Sequence, residues 1–507
     1  MKTPGKASVE ATLSYAANHC EKGRDRSAYR KWSPMNWTVS SLGFGCYRID
    51  DDDPIYSAAM ELALKSGVNL IDTSTNYGDG ESEVCVGSVI EEGVKENAWQ
   101  RDNLVVVSKV GYVQGQNLQL AVDQEKAGKP FAEMVKYMDG CWHCIHPTFI
   151  EDQLSRSLDR LHLETIDVYL LHNPEYFLSD AEKHKKPLEE ARTEFYRRIE
   201  TAFRHLEGEV KKGRIQYYGV SSNSFGAPES RYDSTSVSKM WTIAEKIAGP
   251  DHHFRVTQLP FNLFEAGPEL NANNEGKTFL QFTQEKNLVV LVNRPLNAIV
   301  GERLTRLADF PKTDGGADFE QRRQSVAALE EQWRADLAPT IKTPDGGIPS
   351  KDFFSWSENL KQMTSMEYAL DQWTHYRGAS VVPQVRYLFD QLERYFGQRP
   401  DREKWISWRR AYAEELDLFL DSITKHAFTK AQVKSDQISQ AIGSFLPEAE
   451  RNKSLSQKSL AVLANTAGVH CVLNGMRAPH YVEDSTAVLN WPAFRVSSAL
   501  YQKMSKS

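Results

Sequence analysis

The sequence predicts an α/β protein: a (β/α)8 barrel carrying a mostly helical insertion between its seventh and eighth strands. Three observations predict it. Eight short strand-like runs, several of them β-branched, alternate with stretches whose apolar residues recur at three and four. Several of the runs end in polar residues that make sense together, as expected where neighbouring parallel strands deliver side chains to one end of a barrel. The chain has 507 residues, against the roughly 250 typical of one such barrel.

The elements follow in order. Residues 1–36 form an N-terminal segment ahead of the first run. The runs are SSLGFGCY, GVNLIDTS, NLVVVSKV, TIDVYLLH, IQYYGVSS, FRVTQLPF and LVVLVNRP, all within residues 37–302, and then VHCVLNGM within 454–492. Helical stretches such as DPIYSAAMELALKSG and RIETAFRHLEGEVKKGRI separate them, with Gly67 and Gly213 as stop signals. Residues 303–453 are the insertion, rich in aromatics that include Trp333, Trp356, Trp373, Trp405 and Trp408. Pro400-Asp401 signals a helix start, and Trp405, Trp408, Tyr412, Leu416, Phe419 and Ile423 then mark one amphipathic face. The reading preferred is a helical subdomain with its own core, over direct substrate contact by those tryptophans. KTDGG and KTPDGG are turn sites. Residues 493–507 are a C-terminal tail.

Composition narrows the class. With 40% hydrophobic and 25% charged residues the chain has ample core, and a net charge of −7 argues against a nucleic-acid scaffold. No apolar run approaches the ~18 residues of a membrane span. The N-terminus does not read as a signal peptide. Six cysteines, three of them (Cys46, Cys85, Cys471) in or beside strand runs, suggest reduced thiols and a cytoplasmic setting. Cys141, His143, Cys144 and His146 in CWHCIHP tempt a zinc reading. A structural zinc site usually draws on a second, distant pair, and the other cysteines sit singly, so no metal is expected. Loop packing or substrate contact is the role assigned to that segment, and His252 and His253 receive none.

The chemistry-bearing residues are Asp72 and Tyr77 in IDTSTNYG, Lys109 closing LVVVSKV, and His172 closing IDVYLLH. A free phenol has a pKa of about 10, too high to protonate an alkoxide quickly at neutral pH. An adjacent ammonium stabilises the phenolate, a carboxylate holds the ammonium, and an imidazole opposite can direct a carbonyl oxygen. None of the four can supply electrons, so a hydride must come from a cofactor.

In family order, SLGFGCYR, IDTSTNYGDGESEVCVG, VVSKVG, DVYLLHNPE, GRIQYYGVSSNSF, VTQLPFNLFE and, much later, VLNGMR resemble the motifs of the aldo-keto reductases. The resemblance implies the barrel, a nicotinamide cofactor extended across the strand ends, and the tetrad Asp72, Tyr77, Lys109 and His172. It implies Gly45 and Cys46 beneath the nicotinamide. Gln258 and two of Ser221, Ser222 and Asn223 would hold the carboxamide. Asn293 stands where the family commonly places a stacking aromatic. Arg294 is either a pyrophosphate contact or half of a loop ion pair. Gly475, Arg477, Tyr481 and Ser485 fall at the adenosine end, at a helix start suited to an anion. Arg477 favours NADP over NAD, because guanidinium matches phosphate in bidentate geometry.

The function so implied is an NAD(P)-dependent oxidoreductase interconverting a small aldehyde, ketone or sugar and its alcohol. Nucleic acid and membrane are not expected partners, and the oligomeric state is not legible. The rival from another class is a cofactor-binding regulatory subunit, for which the insertion would be the interaction surface. The insertion leaves after strand seven, and so is expected at the catalytic end as a cover.

Overall fold

The computed structural model describes residues 2–301, 303–341, 349–366 and 369–506. KTPDGG lies outside the described residues. By compactness the chain forms two units, 1–307 with 442–507, and 308–441. Residues 303–307 and 442–453, read from sequence as insertion, thus group with the barrel.

The barrel unit opens with a helix, Val9–Glu21, and an antiparallel hairpin of β1 (Tyr29–Trp32) and β2 (Trp37–Ser40). Parallel strands β3 (Leu42–Gly45), β4 (Leu70–Asp72) and β5 (Val105–Val110) follow. The loop after β5 is more ordered than its sequence suggests. It holds a helix, Gly115–Lys126, and a small sheet of β6 (Tyr112–Val113), β7 (Val135–Met138) and β8 (Cys141–His143). The barrel resumes with β9 (Ile166–His172), β10 (Ile215–Ser221), β11 (Phe254–Pro260) and β12 (Val289–Asn293). A second hairpin, β13 (Asn297–Val300) and β14 (Arg303–Arg306), comes next, and β15 (Cys471–Asn474) pairs with β12 and β3 to close the ring. All eight runs read from the sequence are barrel strands.

Side chains alternate across a strand with a period of two, and this places the site. The interior is Leu70, Val105, Val107, Val168, Leu170, Val256, Val289, Leu291, Cys471 and Leu473, met by Ala7, Trp32, Met35, Trp37 and Val39 from the N-terminal segment and hairpin. Each such burial is worth about 1.5–3 kcal/mol for a Val or Leu side chain. Asn69 fastens the hairpin to the barrel, accepting from Ser40 N–H and donating to Thr38 and Asn103 carbonyls. The next inward residue on successive strands is Gly45, Asp72, Lys109, His172, Ser221, Gln258, Asn293 and Gly475. Register agrees: Gly45 faces Asp72, and Ser221 faces both His172 and Gln258.

The helical unit has its own core of Trp333, Trp356, Trp373, Trp405, Trp408, Tyr412 and Phe419 with aliphatic neighbours. Trp408 stacks on Tyr412 at 4.8 Å and 14°, and its indole N–H donates to Leu329 carbonyl at 2.8 Å. The helix Arg402–Gly443 has 42 residues and outruns the apolar face legible up to Ile423. Gly315 and Gly316 of KTDGG both have positive φ, 71° and 70°, as a turn there requires.

Candidate active site

Lys109 is fully buried, and its ammonium has three partners. It donates to Asp72 Oδ2 at 2.7 Å, to Thr73 carbonyl at 2.8 Å and to Tyr77 Oη at 3.2 Å. The other Asp72 oxygen accepts from Gln258 Nε2 at 2.8 Å. Each carboxylate oxygen thus has a donor, the arrangement that favours the ionised form. Burial works against the Lys109 cation, but Asp72 and Tyr77 outweigh it and hold its pKa above the ordinary value. Burial pushes the Asp72 carboxyl up, with Lys109 and Gln258 pulling it back. Tyr77 is also net raised: burial exceeds the pull of Lys109, so the phenol holds its proton.

Tyr77 comes from the turn after β4, and its ring lies under the Lys109 ammonium at 4.6 Å. His172 stands edge-on to Tyr77 at 5.8 Å and to Tyr112 at 4.7 Å. Burial first, then Lys109 and His143, hold His172 well below the usual imidazole range. It is therefore neutral at pH 7. Tyr47, 67% exposed, closes edge-on against Tyr77 at 5.3 Å. Tyr112, Tyr176 and Tyr137 continue the aromatic wall, with successive centroids 5.2 and 4.7 Å apart.

Around the tetrad the other sequence-named residues divide. Gln258 Oε1 accepts from Ser221 at 3.0 Å and from Asn293 Nδ2 at 3.3 Å, so its amide is engaged at both ends within the protein. Asn293 Oδ1 is buried without a partner among the described residues. Gly45 and Gly475 bring bare backbone to the rim. A Cβ on Gly475 would meet only Gly45 carbonyl, at 4.0 Å, while one on Gly45 would crowd Asn474 carbonyl at 3.4 Å. Cys46 is fully buried beside them, its thiol pushed up by burial.

Ser222 turns away from the rim, bonded to Ser224 and Thr235. Asn223 is exposed, with its backbone N–H on Glu175. Arg294, at φ 53°, donates to Glu265 at 2.6 Å, which gives it the loop ion pair. Arg477 is half-buried and forms no ion pair among the described residues, just before the helix Pro479–Thr486. Tyr481 is exposed, whereas Ser485 is turned inward to accept from Asn474 Nδ2 at 2.8 Å.

The CWHCIHP residues each engage a different neighbour. Cys141 accepts from Gln114, His143 contacts His172 carbonyl, Cys144 donates to Ala132 carbonyl, and His146 caps the helix Pro147–Arg160. Among the described residues the group with metal-ligand spacing is elsewhere, at Glu151, His205 and Glu209, and Arg214 already bonds both carboxylates.

Sequence reasoning missed Ser74, which contacts His172 Nδ1 at 3.0 Å, and the wall residues Tyr112 and Tyr176. Ser74 sits two residues past Asp72, in a motif read only for its aspartate and tyrosine. It also missed Glu175, a buried carboxyl that burial pushes up to about 7.

Comparison with known proteins places the chain by family. The chain belongs to the aldo/keto reductase family, whose model matches residues 41–337. It is 28% identical over 196 residues to an NADPH-dependent D-xylose reductase of Meyerozyma guilliermondii, covering 37% of this chain and 50% of that protein. The chain thus spans about half the length of that curated relative. Among solved structures it is similar to a holo aldo-keto reductase from Bacillus halodurans, at TM-score 0.46 and 15% identity, covering 94% of this chain and 95% of that one. It is also similar to a glycerol dehydrogenase from Gluconobacter oxydans, at TM-score 0.46 and 18% identity over 95% of each chain. No helix among the described residues is long and apolar enough to cross a membrane.

Proposed function

We propose that the protein is an NADP-linked oxidoreductase that interconverts a small aldehyde, ketone or sugar and the corresponding alcohol, with Tyr77 as general acid and base. The observation that carries the reading is the Lys109 ammonium set between the Asp72 carboxylate and the Tyr77 hydroxyl. A nicotinamide supplies the hydride when bound. The chain's own residues manage the proton. In reduction Tyr77 Oη gives its proton to the carbonyl oxygen as that oxygen gains negative charge. Lys109 stabilises the phenolate left behind, and Asp72 keeps the lysine charged and in place. In oxidation Tyr77 takes the proton back. His172 meets the same substrate oxygen from the far side, and the tyrosine wall excludes water.

Several features support a nicotinamide at the rim. Asn293 Oδ1, buried and without a partner among the described residues, offers an acceptor for a carboxamide N–H, and Ser221 is bonded to Gln258 beside it. The bare backbones of Gly45 and Gly475 permit close approach of a flat ring. Arg477, free of ion pairs among the described residues, suits a 2′-phosphate.

The test is a panel of aldehydes, ketones and sugars, followed by NADPH absorbance, with the native protein and Tyr77→Phe. Turnover in the native protein should fall by at least about a hundredfold in the variant, within the range for lost general acid catalysis, with NADPH affinity little changed. Near-normal kcat in Tyr77→Phe would remove Tyr77 from the chemistry.

A further inference from the structure

His172 is tied to Cys141 by four hydrogen bonds in series. Ser74 Oγ lies 3.0 Å from His172 Nδ1 and 2.7 Å from Asn76 Oδ1. Asn76 Nδ2 reaches Gln114 Oε1 at 3.1 Å, and Gln114 Nε2 reaches Cys141 Sγ at 3.3 Å. The proton count along this chain decides what His172 can do. A serine hydroxyl has one proton and a neutral imidazole has one N–H. When Ser74 donates to the Asn76 carbonyl, its oxygen must accept from Nδ1–H, and Nε2 is left a bare acceptor. An acceptor at Nε2 suits an alcohol O–H. It has nothing to give a carbonyl oxygen.

The chain also runs in the opposite sense. Turning a carboxamide over exchanges its nitrogen and oxygen with little change of shape. With Asn76 and Gln114 both turned, Cys141 S–H donates to Gln114 Oε1, Gln114 Nε2 to Asn76 Oδ1, Asn76 Nδ2 to Ser74 Oγ, and Ser74 O–H to His172 Nδ1. Between turnovers, with the site open to water, the imidazole loses its Nδ1 proton to solvent and takes one at Nε2, so charge and proton number are unchanged. Nε2–H is then the donor a carbonyl oxygen requires.

Both ends suit such a reversal. Cys141 is buried and its thiol is pushed up by burial, so it stays S–H and can donate or accept. His172 stays neutral and cannot avoid the choice by carrying two protons.

We propose that Cys141, Gln114, Asn76 and Ser74 form a reversible hydrogen-bond relay that selects which ring nitrogen of His172 is protonated, fitting the site to a carbonyl in one sense and to an alcohol in the other. The inference rests on the reading of His172 as the residue that meets the substrate oxygen. Ser74, Asn76 and Gln114 act through His172 and are positioning residues.

Gln114→Glu tests it. At pH 8 a carboxylate there accepts from Asn76 Nδ2 and cannot donate, which locks the relay with His172 as Nδ1–H. The readout is the pair of ring 15N shifts of His172 in the full-length, histidine-labelled protein, assigned by difference from His172→Gln. The native protein should show shifts averaged between the two tautomers and Gln114→Glu those of Nδ1–H alone. Ser74→Ala should move the native shifts and make them indifferent to Gln114→Glu. The kinetic readout uses glyceraldehyde with NADPH and glycerol with NADP. In Gln114→Glu the KM for glyceraldehyde should rise about fivefold to tenfold, one hydrogen bond's worth, with the KM for glycerol unchanged. The kcat values adjust so that the overall equilibrium is preserved.

Identical ring shifts in the native protein, Gln114→Glu and Ser74→Ala would overturn the relay. Should Gln114→Glu fail to fold, unchanged shifts in Ser74→Ala overturn it alone. A shift change without turnover on either substrate supports the relay and counts against the catalytic reading.

Discussion

A fully buried lysine is costly unless its charge is met, and Lys109 is met on three sides by Asp72, Thr73 and Tyr77. That is why the residue can stand as the next inward position above Val105 and Val107. The same logic made the strand-borne half of the site legible: a polar residue closing a buried run must have a reason. What sequence could not supply is pairing across the barrel. The sequence points Gln258 at a carboxamide, and it does not announce that the same amide is engaged by Asp72, Ser221 and Asn293, which come from three other strands. The partner of Arg294 is likewise on another loop, at Glu265, and no local signal announces it. Arg477, by contrast, has no protein partner among the described residues. If it reads a 2′-phosphate, Arg477→Ala should weaken NADP binding by about 1.5–3 kcal/mol, the range for hydrogen bonds to charged groups, and leave NAD binding little changed. Fluorescence titration with the two cofactors measures this, and equal losses for both would assign Arg477 another role.

At the scale of elements, the barrel strands were legible because each is an apolar run of the right length between helices. The strands around them were not. β7 (Val135–Met138) alternates buried and exposed residues over four positions only, and β1 was hidden in a basic segment. Such short strands form because a neighbour pairs them, which a local pattern does not reveal. The β1–β2 hairpin nonetheless supplies part of the barrel's interior. Trp37 is 3% exposed and meets Tyr217 edge-on at 5.3 Å. Trp37→Ala should therefore cost about 3–5 kcal/mol, as for other large aromatic truncations in a core. Chemical denaturation gives the number. A loss below 1 kcal/mol would mean that the hairpin is an ornament and the barrel closes without it.

At the scale of the whole molecule, the two units have separate cores, and a chain with two cores need not unfold in one step. The helical unit's core draws on Trp333, Trp405, Trp408 and Tyr412, while the barrel's draws on strand valines and leucines and on the N-terminal hairpin. Trp405 discriminates between one cooperative unit and two. It is fully buried, stacks on Phe396 at 5.3 Å and donates its N–H to Glu393 at 3.0 Å, all within residues 308–441. Removing it takes away a large apolar surface and leaves Glu393 short of a donor. Trp405→Ala should lower the unfolding temperature of the helical unit by roughly 10 °C or more and leave the barrel's transition where it was. Calorimetry resolves the two. Replacing residues 308–441 with a Gly-Ser linker carries the same argument to its limit: the remaining barrel should keep a cooperative transition, and its affinity for NADPH then tells whether the insertion contributes to holding the cofactor. A single transition that moves as one in Trp405→Ala would mean that the two cores stand or fall together.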